Sequence, residues 1–143
     1  MTRKAVLPTA AILLGSLFYA QGAQGAQEEE SMRSVQSGVY TQEQAERGGK
    51  VFSEVCISCH ELAEFEGGAY LESWSGQTAH DLIEHIRETM PQDNPGSLPR
   101  KDYVDVAAYF FQLNGLPAGE TEMETGTVKT IRIEGPFPAK PAP

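Results

Sequence analysis

Along residues 79–89 the apolar side chains fall three and four apart, so Leu82, Ile83 and Ile86 share one face of a predicted helix. Thr78 stands where a hydroxyl caps its start, and Pro91 stops it. The same spacing recurs at Tyr103, Val106, Ala107, Phe110 and Leu113, with Pro99 suited to the first helical position and Gly115 as a stop. Upstream, Thr41 followed by Gln44 has the form of a capping box, opening a helix through Ala45, Gly48, Phe52 and Val55 that runs to Cys56. Between these patterns, Glu61–Gly76 is rich in Gly and aromatics and reads mostly as loop, while Asn94-Pro95-Gly96 reads as a turn. There is no internal repeat. The expectation is an all-α architecture of about three helices, with loops, packed round something that is not protein.

The flanks read differently. Residues 1–25 begin with Arg3 and Lys4, continue through an apolar run from Ala5 to Ala20, and end in the small-residue triplets Ala20-Gln21-Gly22 and Ala23-Gln24-Gly25. That order is the layout of a secretory signal peptide. A retained membrane anchor is the alternative, but the run has only 16 residues and contains Pro8, whereas a span needs about 20. Residues 26–38, with Glu28-Glu29-Glu30, are expected to be an acidic flexible linker. Residues 39–119 make the domain, and 120–143 a polar, Pro-rich C-terminal tail. Within that tail only the alternating stretch Thr127–Ile133 has the pattern of a strand.

Charge narrows the function. Eleven basic against 20 acidic residues give a net charge of −9, which excludes phosphate-backbone binding as a main activity. Losing Arg3 and Lys4 with the leader leaves nine bases against 20 acids, a mature charge of −11. The expected product is exported to the periplasm, acidic, and without a membrane span after cleavage. With two cysteines in 143 residues, a disulfide-stapled scaffold is excluded too.

Those cysteines stand in Cys56-Ile57-Ser58-Cys59-His60, a C-x-x-C-H sequence and the attachment signal for c-type haem. Two thiols three residues apart on a helical turn can each add to one of the neighbouring vinyl groups, and the imidazole that follows is then placed under the iron. A thioredoxin-like dithiol would need a βαβ context, and a zinc site would need further Cys or His at recognisable spacing. A disulfide across four residues would constrain little of the chain. The expected cofactor is one covalent haem c.

Iron held by His60 needs a ligand on its other face. Met90, in Thr89-Met90-Pro91 where a helix gives way to a loop, is the favoured one; His80 and His85 are the alternatives, set among Asp81, Glu84 and Glu88 as surface imidazoles. Met32 and Met123 lie in the polar flanks and are expected to be exposed or disordered. A thioether would fill the last coordination position, leaving an iron that passes electrons and has no place for substrate.

Besides C-x-x-C-H, the chain contains W-x-G-x-T from Trp74, T-M-P at 89–91, P-G-S-L at 95–98, Y-x-D-V-x-A-Y from Tyr103 and N-G-x-P-A-G from Asn114. Over roughly Gly38–Gly119 it resembles the class I cytochromes c, in particular small bacterial periplasmic monohaem cytochromes that serve quinoprotein (PQQ) dehydrogenases. The resemblance implies a cytochrome c-like fold, haem on Cys56 and Cys59, and His60 and Met90 as iron ligands. It also implies that Gly48 and Phe52 cross the last helix near Val106 and Tyr109, and that Trp74 packs at the haem edge with its N–H near a propionate. His60 and Met90 are only 30 residues apart, and no proline follows His60 until Pro91 to orient the imidazole, so its outer partner is left open.

The function so implied is a non-enzymatic carrier of single electrons. A periplasmic dehydrogenase would be its donor, or the larger enzyme holding it as a subunit, and a respiratory oxidase or another cytochrome its acceptor. A haem enzyme or sensor with an open or labile sixth site is the alternative. An acidic carrier would dock on a basic patch unless its charge serves solubility alone.

Overall fold

The Thr41 hydroxyl accepts the Gln44 amide at 3.1 Å and starts α1, Gln42–Val51. In this computed structural model, which describes residues 31–138, the chain continues as a π-helical turn over Phe52–Cys56. There the Ile57 amide reaches back five residues to the Phe52 carbonyl at 3.0 Å. A 3₁₀ turn (Leu62–Phe65) and the one-turn helix α2 (Ala69–Glu72) then occupy the stretch expected to be loop. Next comes α3, Ala79–Thr89, with the Thr78 hydroxyl accepting the Asp81 amide at 3.2 Å while the Asp81 carboxylate accepts the Thr78 amide at 2.8 Å. The last long helix, α4, spans Arg100–Leu113. Pro99 precedes its first helical residue and so occupies the N-cap rather than the first position. The result is all-α in class and cytochrome c-like, with four helices among the described residues and very little strand.

The crossing of α1 and α4 organises the body. A Cβ on Gly48 would lie 1.9 Å from the Asp105 carbonyl oxygen and 2.9 Å from the Val106 nitrogen, so the backbones touch where only glycine fits. Gly49 faces the Tyr109 ring, and Phe52 lies 5.8 Å from Tyr109 and 5.9 Å from Phe110. The expected contact of Gly48 and Phe52 with the Val106–Tyr109 region is therefore present. Asp105, 2 % exposed, pins the crossing: it accepts from Gln44 Nε2 at 3.1 Å, Arg47 Nε at 3.0 Å and Lys101 Nζ at 2.7 Å. Burial raises its pKa, but these donors outweigh burial and hold the carboxyl below its ordinary value.

Both flanks depart from expectation. Arg33–Ser34 form a short strand, β1, which pairs in parallel with β2, Ile131–Arg132, in the register Arg33 to Ile131 and Ser34 to Arg132. A 3₁₀ turn, Val35–Ser37, follows β1, and another, Val128–Thr130, leads into β2. Val35, Met123, Val128, Ile131 and Ile133 are all buried in the main core with Leu71, Ala79, Leu82, Ile83 and Phe111. Residues 33–38 are thus not a flexible linker, 123–133 are not a loose tail, and Met123 is neither exposed nor disordered. The reason is hydrophobic: burying each such side chain contributes about 1.5–3 kcal/mol, and α3 and α4 leave an apolar face that these segments cover. The strand foreseen over Thr127–Ile133 shortens to two residues, because Ile133 turns to exchange hydrogen bonds with Gly76 and Gln77, at 2.8 Å each. The signal-peptide expectation falls outside the described residues. None of the helices within them is long and apolar enough to cross a membrane.

Candidate haem-binding site

The π turn ends on Cys56, whose carbonyl accepts the amides of both Cys59 (3.1 Å) and His60 (3.0 Å). One tight turn therefore presents both thiols and the imidazole. Both cysteines are free of a disulfide; Cys56 is half-buried, which pushes its thiol pKa up, and Cys59 is exposed. No group of three His, Cys, Asp or Glu side chains gathers among the described residues in a way that would hold a metal ion.

Behind the turn lies a second, smaller apolar cluster. Phe52, Val106 and Phe110 are its buried centre, and Cys56, Leu62, Phe65, Tyr70 and Ile86 pack on it while remaining partly exposed. Phe65 stacks on Phe110 with centroids 4.5 Å apart and planes 4° from parallel, and Tyr70 meets both edge-on. Such a half-covered aromatic face beside two free thiols and an imidazole fits a flat, apolar, thiol-linked macrocycle. Burial pushes the Tyr70 phenol up to about 12, against the opposing effect of the Trp74 N–H that donates to it.

His60 meets Phe65 edge-on at 5.4 Å and turns its Nδ1 toward Glu64 Oε2 at 3.3 Å. A carboxylate only accepts, so Nδ1 carries the proton and Nε2 keeps its lone pair for a metal. Glu64 is itself held, its Oε1 accepting the Glu61 amide at 2.7 Å. That amide, then His60, lowers the Glu64 pKa.

Met90 is the C-cap of α3, one turn after Ile86, which packs on the same aromatic cluster. Its amide donates to the Ile86 carbonyl at 2.8 Å, and its own carbonyl accepts from the Tyr103 hydroxyl at 2.9 Å and the Gly96 amide at 3.3 Å. The main chain of Met90 is thus clamped while its side chain stays partly exposed. Trp74 packs on the edge of the main core and lies 5.3 Å from the exposed ring of His85; its N–H is taken by Tyr70. His80 is not a plain surface imidazole, since its Nδ1 is buried with no hydrogen-bond partner.

Sequence reasoning did not find Glu64 or the long reach of Tyr103. The first had a signal, because a residue four after His60 returns to the same side of a turn. The second had none, since Tyr103 on its helix reads as a core residue.

An all-α fold wrapped on a C-x-x-C-H turn, with an aromatic shelf beside it, is consistent with a c-type cytochrome domain. Residues 43–110 match the family model described as cytochrome C oxidase, cbb3-type, subunit III, a match that indicates a c-type cytochrome domain and implies covalently bound haem c. Domains of this class transfer electrons through haem and are typically extracytoplasmic. No curated protein and no solved structure matches the chain.

Proposed function

We propose that the chain is a periplasmic monohaem carrier of single electrons, in which Cys56 and Cys59 would anchor the haem and His60 and Met90 would hold its iron. When bound, the haem supplies a one-electron ferric/ferrous couple. The protein does the rest. The Cys56–His60 turn presents both thiols and the imidazole together. His60 offers Nε2 because Nδ1 is engaged by Glu64. Met90 brings a thioether from a main chain clamped by Ile86, Gly96 and Tyr103. Phe52, Phe65, Tyr70, Ile86 and Phe110 exclude water from the shelf.

The observation that carries this reading is the engaged Nδ1 of His60 directly after two free thiols on a single turn. A filled coordination sphere makes an electron carrier rather than an enzyme. The donor is a periplasmic dehydrogenase, a quinoprotein by the W-x-G-x-T to N-G-x-P-A-G tract. The acceptor is a respiratory oxidase or another cytochrome, and the matched family's description names an oxidase subunit. A net charge of −9 favours a basic docking surface on either.

The mass of the purified chain and carbon monoxide binding test the proposal together. The expected outcome is one haem's added mass, slow or absent carbon monoxide binding by the ferrous protein, and rapid binding after Met90→Ala. Rapid binding by the unaltered protein would establish the open-site reading instead.

A further inference from the structure

The group beside His60 belongs to no expectation drawn from the motif. Glu64 closes a small ring with Glu61: its amide donates to the Glu61 carbonyl at 3.1 Å while its Oε1 accepts the Glu61 amide at 2.7 Å. The carboxylate is therefore fixed by its own main chain, and Oε2 is left directed at Nδ1 of His60, 3.3 Å away. Phe65, the next residue, stands edge-on to the imidazole at 5.4 Å and is itself stacked on Phe110 of α4. The ring is held from two sides by consecutive residues.

We propose that Glu64 is a positioning residue that gives the imidazole an anionic hydrogen-bond acceptor and so biases the iron toward its ferric state. This rests on His60 being a ligand, as argued above. An N–H that donates to a charged oxygen gives up more of its proton than one donating to a neutral carbonyl. The ring then donates more electron density through Nε2, which stabilises the more highly charged metal.

Redox titration of the holoprotein, its Glu64→Gln variant and its Glu61→Gln variant tests this. Glu64→Gln should lower the ferric-to-ferrous ratio at a fixed poise about tenfold, equivalent to a rise of about 59 mV for one electron. Glu61→Gln removes the same charge three residues away and should move the ratio much less. No shift in Glu64→Gln, or equal shifts in the two variants, overturns the proposal. A second reading needs no variant: in the diamagnetic ferrous holoprotein, nitrogen-15 NMR should find the His60 Nδ1 proton protected from solvent, and free exchange overturns the proposal as well. Loss of His60 ligation itself would appear differently, as a high-spin absorption spectrum of the unaltered protein.

Discussion

The Tyr103 hydroxyl, from the buried side of α4, donates a 2.9 Å hydrogen bond to the carbonyl of Met90 and accepts the Leu98 amide at 3.3 Å. One phenol thus ties both arms of the 90–98 loop to the last helix. Tyr103→Phe keeps the ring and removes the tie. Stability should fall by about 1 kcal/mol, while imidazole added to the ferric holoprotein should enter severalfold faster. Stopped-flow absorbance measures the second effect, and unchanged entry would separate Met90 from the clamp.

Gly48→Ala places a methyl carbon where the Asp105 carbonyl already stands. The helices must separate, at a cost of about 1–3 kcal/mol or more, visible as a lower denaturant midpoint. Gly49→Ala meets only the edge of the Tyr109 ring, at 3.2 Å, and should cost less.

Asp105 makes acid sensitivity predictable. Its folded pKa lies below the ordinary 3.8, so its contribution is complete above that value and is lost as pH falls further and the carboxylate protonates. Stability of the unaltered protein should therefore drop below about pH 4 more steeply than that of Asp105→Asn. At neutral pH the variant should be weaker by about 1–3 kcal/mol, from lost charge-assisted hydrogen bonds. Urea titrations at several pH values give both slopes.

Ile131→Ala, within what reads as a tail, should cost about 2–5 kcal/mol, because the side chain is fully buried. A polar tail would tolerate it, so thermal unfolding decides directly.

Legibility followed the length of the pattern. The helix over 79–89 was plain because Thr78, three periodic apolar residues and Pro91 all agreed, and its bounds match the structure. The turn at Cys56–His60 was legible for a different reason, since its motif is contiguous in the chain. Val35 and Ile131 were opaque. Each is a lone apolar residue or one of a short alternation in polar surroundings, and it is buried in a core drawn from distant parts of the chain. Glu64 fell between the cases: its spacing was visible, but the bond from its other oxygen to Glu61 was not.

The pairing of Arg33–Ser34 with Ile131–Arg132 has a mechanical consequence. The two strands run in the same direction, so tension applied at the two ends of the described chain would pull them lengthwise past each other. Every rung of the ladder would then resist at once, instead of opening one after another. A tether to a larger assembly at either end would strain this clasp first, shielding α1, α3 and α4 from the load.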